Sequence, residues 1–238
     1  MCIQSKDERS LLYEFARDRL QNFKQVLDCA CGEGQGTYIL ASGLSEASCL
    51  GIDQDSYAIR LARERFHQPN LAFKEGNALL LSEPDATFDA VVSCHTIEHF
   101  SDSDQKRLLS ELRRVLIPGG ILIMATPDRD VWRALGIAGE QKDHIRELTK
   151  QEFINEVSVE GFKVLEVFGQ NLLIAKNSRL RPLLNLFKKF DIFYLRRLLG
   201  NLIKKIDKNT QPISLDASVQ PLRDKEKASI SIIVAERS

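Results

Sequence analysis

Val26-Leu27-Asp28-Cys29-Ala30-Cys31-Gly32-Glu33-Gly34-Gln35-Gly36 is the stretch whose reading decides the fold. An apolar run enters it, and three glycines at alternate positions leave it ahead of the helix-like Thr37–Ala41. Glycine lets backbone approach a ligand and permits positive φ. In an open parallel sheet, ligands lie beyond the carboxyl ends of the strands, where the strand order reverses. Asp53 follows 21 residues after Gly32, at the end of a second apolar run, Ser48–Ile52. A carboxylate there can accept hydrogen bonds from both hydroxyls of a ribose. The spacing is G-x-G-x-G, not the G-x-G-x-x-G that seats a pyrophosphate in dinucleotide enzymes. A bland alternative is that the glycines only make a tight strand-to-helix turn, and the correctly spaced Asp28 and Asp53 argue against it.

Working outward, the chain alternates strand and helix signals. Leu11, Leu12, Phe15, Ala16, Leu20 and Phe23 recur at helical spacing over residues 8–23. Strands are expected at Gln25–Cys31, Ser48–Ile52, Leu71–Lys74, Phe88–Cys94, Ile121–Ala125, Phe162–Phe168 and Ile230–Ala235. Helices are expected at Ser56–Phe66, capped by Asp55, and at Asp104–Leu116, stopped by Pro118-Gly119-Gly120. Thr149-Lys150-Gln151-Glu152 has the form of a capping box for a helix running to about Val159. This rhythm predicts an α/β doubly wound, mostly parallel seven-stranded sheet, Rossmann-like, with a helical insertion before the last strand. The division expected is a core over 1–178, an insertion and loop over 179–227, and a final strand over 228–238 that returns to the core sheet.

Composition narrows the class. At 238 residues the chain can bury a full core without metal or disulfide help. Its 33 basic and 33 acidic residues cancel, so no global field draws it to nucleic acid. No apolar run approaches the ~20 residues that cross a bilayer, and the first residues lack a signal-peptide core. Five cysteines, mostly inside apolar stretches, suggest a reducing, cytoplasmic setting without a disulfide framework. Cys29, Cys31 and Cys94 read as small apolar residues at strand ends, since partners at a metal-site spacing are missing.

The words YEFA, VLDCACGEGQG, GIDQDSYAIRLA, EGNALLL, FDAVVSCHTIEHF, LRRVLIPGGILIMATP and HIRELTKQEF together resemble class I S-adenosylmethionine (SAM)-dependent methyltransferases over about residues 10–170. The likeness is to the subgroup found beside glycan- and lipopolysaccharide-building enzymes and to ubiquinone-pathway methyltransferases. The resemblance implies SAM as cofactor. It implies that Asp28, Ala30, Gly32, Gly34 and Gly36 border the methionine part of SAM, with Cys94 near the sulfonium. Asp53 would take the ribose hydroxyls, with Gln54, Asn77 and Ala78 at the adenine. It further implies methyl transfer to oxygen on a sugar or other small hydroxylated metabolite of glycan assembly. A quinone or lipid precursor at a membrane surface, a metal-assisted RNA substrate and a non-catalytic SAM-binding role are the alternatives. Nucleic acid is the least expected partner because no RNA-binding module is visible, and the oligomeric state is left open.

Three of the four histidines fall near the expected site. If the residues after His95 form a helix, then His95, Glu98 and His99 share one face. Imidazole and carboxylate suit divalent metals. The resembling ubiquinone-pathway and small-RNA families hold a metal through Glu-x-x-Glu-His, and His144 in HIRELT resembles the later histidine of the RNA enzymes. His95 stands where that unit has its first Glu. Three readings stay open. His95, Glu98, His99 and His144 hold a metal, or Glu98 and His99 brace the helix, or one of the catalytic candidates His95, His99 and His144 removes the acceptor proton, for which an ordinary imidazole is suited.

Arg179–Lys208 has a different character, with nine Lys or Arg against Asp191 and Asp207, interleaved with leucine and phenylalanine. A basic amphipathic segment of this kind either makes peripheral contact with an anionic membrane, packs on the domain or roofs the site.

Overall fold

The computed structural model describes residues 8–135, 143–172, 219–222 and 228–238. Helix α1 (Glu8–Arg19) precedes strand β1 (Gln25–Cys29), helix α2 (Gln35–Gly43), strand β2 (Ser48–Asp53), helix α3 (Ser56–Arg65) and strand β3 (Leu71–Glu75). Strand β4 (Phe88–Cys94) follows, then a 3₁₀ turn at Ile97–His99, helix α4 (Asp102–Val115) and strand β5 (Leu116–Pro127). The rest comprises α5 (Arg129–Leu135), α6 (Lys150–Val159), β6 (Phe162–Leu172), β7 (Val219–Pro221) and β8 (Ala228–Arg237).

All eight strands form one sheet in the order β3-β2-β1-β4-β5-β8-β6-β7. The first five pair in parallel, while β8 is antiparallel to β5 and β6, and β7 is antiparallel to β6. The seven-stranded expectation is therefore corrected to a mixed, eight-stranded sheet. The extra strand, Val219–Pro221, lies in the stretch expected as loop. Strand β6 runs to Leu172, past the expected Phe168, and its Phe168–Gln170 segment pairs with β7. Three residues are too few to show alternation in a sequence, and Pro221 is tolerated because it lies on an edge strand. The insertion expected as a helical subdomain, residues 179–208 included, otherwise lies outside the described residues.

Local chemistry explains the boundaries. The Asp55 carboxylate accepts from the N–H groups of Tyr57 and Ala58 and starts α3. Thr149 and Glu152 close the capping box of α6 in both directions. Ser101 caps α4 two residues earlier than expected. Pro118-Gly119-Gly120 does stop α4, yet the backbone stays extended through it. The pairing skips a residue between Phe88 and Ala90, with Gly119 at φ 76°, so the motif is an irregularity inside β5.

Apolar faces cover both sides of the sheet. Leu12, Ala16 and Leu20 of α1 and Leu40 and Ala41 of α2 pack on Val26, Val92, Ile123 and Ile232. Leu108, Leu109 and Leu112 of α4 and Phe153 and Val157 of α6 pack on Leu27, Val91, Leu122 and Ile233. Strands buried on both faces need apolar residues at successive positions, which is why the middle of β4 reads Ala90-Val91-Val92. The strand order reverses between β1 and β4, and a cleft opens beyond their carboxyl ends.

Candidate active site

The cleft, about 620 Å³, has a backbone-built wall from the turn after β1 and a side-chain-built wall from the turn after β4. The first wall begins with strain. Ala30, Gly32 and Gly34 all have positive φ, at 65°, 54° and 83°. Ala30 is held there because its N–H and that of Cys31 donate to the Ile52 carbonyl, at 2.8 and 3.0 Å. A non-glycine residue with φ in this range costs free energy and persists only where its surroundings over-determine it.

The three glycines have different reasons. A Cβ on Gly32 would meet nothing within 4 Å, so its bare face is open to the cleft. A Cβ on Gly34 would stand 2.7 Å from Ala62 Cβ and the Phe73 ring, and on Gly36 it would overlap the Tyr13 ring. Gly34 and Gly36 are thus required by packing, and among the three only Gly32 and Gly36 line the cleft.

Asp53 lines the cleft with both oxygens already oriented. Oδ2 accepts from the Gly32 N–H at 2.8 Å, and Oδ1 from the Asp55 N–H at 2.9 Å. Each oxygen keeps a further lone pair, enough for two hydroxyls. Gln54, Gly76 and Ala78 continue this wall. Asn77 is among the residues the structure does not bring to the cleft. Its Oδ1 accepts from the Leu79 N–H at 2.9 Å, making a local turn.

Asp28 is likewise absent from the cleft lining and wholly buried. It accepts from the Tyr13 hydroxyl at 3.0 Å and the Thr37 hydroxyl at 2.6 Å, tying α1 and α2 to β1. Burial pushes its carboxyl up to about 7, against the two hydrogen bonds, and the Asp53 charge adds to the rise. Asp28 braces the wall after β1 from behind. Burial, followed by the Asp28 charge, also pushes the thiols of Cys29, Cys31 and Cys94 well up, so none is a ready nucleophile.

The second wall comes from Cys94–Phe100. The residues after His95 do not form the expected continuous helix. His95 takes φ 56°, its N–H donating to the Ala125 carbonyl at 2.8 Å, and only the single 3₁₀ turn follows. That turn separates His95 from the other imidazole ligands. Among the described residues, candidate ligand atoms come together from Glu98, His99 and His144, and His95 is not in that group.

His95 lines the cleft with its Nδ1 3.4 Å from Glu98 Oε1. Glu98 is fully buried, and Thr126 donates to its Oε2 at 2.9 Å. Burial raises the Glu98 carboxyl, but the adjacent His95 imidazole and the Thr126 hydroxyl outweigh it and hold the group below its ordinary value. His99 also lines the cleft, its Nδ1 3.0 Å from the Asp143 carbonyl. His144 sits behind it, with Nδ1 2.9 Å from Glu147 Oε1 and its ring edge-on to His99 at 5.1 Å.

Several residues here went unread in the sequence. Arg9, Ser10 and Tyr13 bring α1 into the cleft lining. Asp143 and Glu147 orient the two histidines. Tyr13 carried a signal in YEFA, but a helix in front of the first strand gives no hint of which face it turns to a cleft.

Comparison with known proteins now bears on this geometry. Residues 26–120, from β1 into β5, match a family model described as a methyltransferase domain. A probable S-adenosylmethionine-dependent methyltransferase of Mycolicibacterium smegmatis is 33% identical over 146 residues, which is 61% of this chain and 54% of that protein. Phthiotriol/phenolphthiotriol dimycocerosates methyltransferase 1 of Mycobacterium ulcerans is 36% identical over 141 residues, 56% of this chain and 49% of that protein. The chain spans about half the length of these curated relatives. The crystal structure of a SAM-dependent methyltransferase of Thermotoga maritima, described as a possible histamine N-methyltransferase, superposes with a TM-score of 0.63. It does so at 19% identity over 97% of this chain and 89% of that one, which establishes the shared fold.

Proposed function

We propose that this chain, which carries a class I SAM-dependent methyltransferase domain over residues 26–120, transfers the SAM methyl group to a hydroxyl of a lipid-type acceptor. The observation that carries the transfer is the cleft itself: Asp53, oriented by two backbone N–H groups, on one wall, and His95, backed by Glu98, on the other. SAM supplies an electrophilic methyl on a sulfonium. Asp53 takes the ribose hydroxyls, the open face of Gly32 admits the methionine part, and Ala78 and Gln54 border the adenine. Asn77 enters only through its backbone turn.

The acceptor oxygen attacks the methyl carbon in line with the departing sulfur. The O–C bond forms, the S–C bond breaks, and its electron pair stays on sulfur as S-adenosylhomocysteine. The acceptor proton passes to His95, whose Nδ1 side faces Glu98 and whose other ring nitrogen is free to accept. Most of the rate comes from holding oxygen, carbon and sulfur in line.

Two features favour a lipid-type acceptor. One relative is named for phthiotriol dimycocerosate substrates. Residues 179–208, outside the described residues, combine nine cations with leucine and phenylalanine, a composition that adsorbs to anionic lipid. A sugar hydroxyl of glycan assembly is the second reading, favoured by the motif resemblance. Among the described residues no helix is long and apolar enough to cross a membrane. Purified protein incubated with SAM labelled at the methyl group, against hydroxylated lipids and free sugars in parallel, tests both. Label in the lipid fraction with stoichiometric S-adenosylhomocysteine is expected. Label confined to sugars would transfer the assignment to the second reading, and no transfer to either would overturn O-methylation.

A further inference from the structure

We propose that Gln105, which lies outside the cleft lining, is the positioning residue that holds the acceptor-side wall in place. What that wall does rests on the methyl-transfer reading, whereas how it is held rests on the structure alone.

Gln105 lies on the buried face of α4, in line with Leu108, Leu109 and Leu112. It is fully buried, and an amide at an otherwise apolar helical position is costly unless its polar atoms find partners. Here they do. Nε2 donates to the Ile97 carbonyl at 2.9 Å and to the Arg146 carbonyl at 2.8 Å, which uses both of its N–H groups. Oε1 accepts from the Arg146 guanidinium.

The two carbonyls belong to the two irregular segments that build the wall. The first is the 3₁₀ turn carrying Glu98 and His99, just after His95. The second is the stretch ahead of α6 that sets His144 against His99. Irregular main chain cannot satisfy its own polar groups, so each segment needs partners from elsewhere. Part of the join is main chain, since the N–H groups of Ile145 and Arg146 donate to the Glu98 carbonyl at 2.9 and 3.1 Å. Gln105 ties both segments to α4, and Arg146 ties the second to Glu156 of α6 at 2.6 Å. Both helices pack on the sheet, so the wall inherits their rigidity.

The residue type follows from the same bonds. Methionine would fill the space but leave two buried carbonyls without a donor, and losing one partner costs more than the bond contributes when made. Glutamate would offer those carbonyls no N–H. His95 and the Glu98 carboxylate behind it sit on this wall, so a drift of the turn moves the proton acceptor off the reacting line. Small displacements of that kind are expensive in rate. The wall after β1 is fastened separately, through Asp53 and the Gly32 N–H, so loosening should reach the acceptor side only.

Gln105→Met and Gln105→Glu, made in the full-length protein, test this. Lys106→Met, which breaks only an exposed pair with Asp102, is the control and should match the wild type. In both Gln105 variants the amides of Ile145 and Arg146 should exchange hydrogen about tenfold faster or more. The Gly32 amide and the calorimetric affinity for S-adenosylhomocysteine should stay as in the wild type. The single tryptophan, Trp132, has its ring 5.6 Å from that of His144, and its fluorescence should become easier to quench with acrylamide. With whichever lipid or sugar takes label in the transfer assay, kcat should fall about ten- to a hundredfold and the acceptor KM rise, with the SAM KM unchanged. Unchanged exchange at Ile145 and Arg146 overturns the proposal. So does loss of S-adenosylhomocysteine binding in both variants, because Gln105 would then serve the whole fold. Faster exchange with wild-type transfer kinetics overturns the positioning role. Faster exchange in the variants, with no transfer even by the wild type, leaves the clamp standing and sinks the activity.

Discussion

The two walls of the cleft are built in opposite ways. The wall after β1 is main chain. Positive-φ residues and backbone N–H groups shape it, and one carboxylate, Asp53, is fastened to two of those N–H groups. The wall after β4 is side chain, with a buried Glu98 held by Thr126, 28 positions away, and His99 held by Asp143, 44 positions away, while His144 packs behind it against the nearby Glu147. A backbone-built wall suits a constant ligand, because its geometry follows from a short run of residues. A side-chain-built wall can be re-equipped residue by residue, and the proposed proton acceptor, His95, is placed there.

This contrast can be broken experimentally. The largest effect expected is on the side-chain wall. His95→Gln should lower kcat about 10²- to 10⁴-fold while S-adenosylhomocysteine affinity measured by calorimetry changes little. A comparable loss of cofactor affinity would erase the distinction between the walls.

Next comes Asp28, behind the backbone wall. Its carboxyl, pushed up to about 7 by burial, lies well above the ordinary carboxylate value of 3.8. The folded state therefore holds the proton more tightly. Stability from this group is full below about pH 4 and is lost as pH rises through about 7. The loss is up to about 4 kcal/mol by linkage. Asp28→Asn keeps one carbonyl acceptor and puts an NH2 donor opposite the other hydroxyl, which can turn to accept, and should flatten that slope. Urea midpoints of both proteins from pH 4 to 8 check it, and parallel curves would refute the burial account.

A pair of glycine substitutions sharpens the contrast within one loop. Gly34→Ala drives a Cβ into Ala62 and Phe73 at positive φ and should cost about 3 kcal/mol of stability. Gly32→Ala meets no atom and should cost about 1 kcal/mol from φ alone, while impairing cofactor binding. Thermal melts with and without S-adenosylhomocysteine separate the two, and a reversed order would contradict the assignment of Gly34 to packing.

Asp53→Ala should leave S-adenosylhomocysteine binding about ten- to a hundredfold weaker, as for a lost charged hydrogen-bond pair. Unchanged calorimetric affinity would remove Asp53 from the ribose.

Legibility in the sequence followed the same division. The β1 turn, β4, the Asp55 cap and the Thr149–Glu152 capping box were readable because each depends on residues within a turn or two of one another. The packing role of Gly34 was hidden because Ala62 and Phe73, the atoms it must admit, come from α3 and β3. Asp28 looked like a ligand-facing acid, and only the approach of Tyr13 and Thr37 shows that it faces inward. His95 looked like a fourth ligand because helical spacing was assumed, whereas its backbone bond to Ala125 turns it out of that series.

The sequence by itself determined the alternation of strands and helices, the positive-φ loop after β1 and the acid at the end of β2. These are local consequences of apolar periodicity and of residues whose backbone freedom is set by their own side chains. Only the tertiary structure decided that β7 adds an eighth strand, that Asp28 braces the wall without facing the cleft, and that Glu98, His99 and His144 converge without His95. Each of these depends on which distant groups satisfy a buried polar atom or a free strand edge, and no spacing along the chain encodes that.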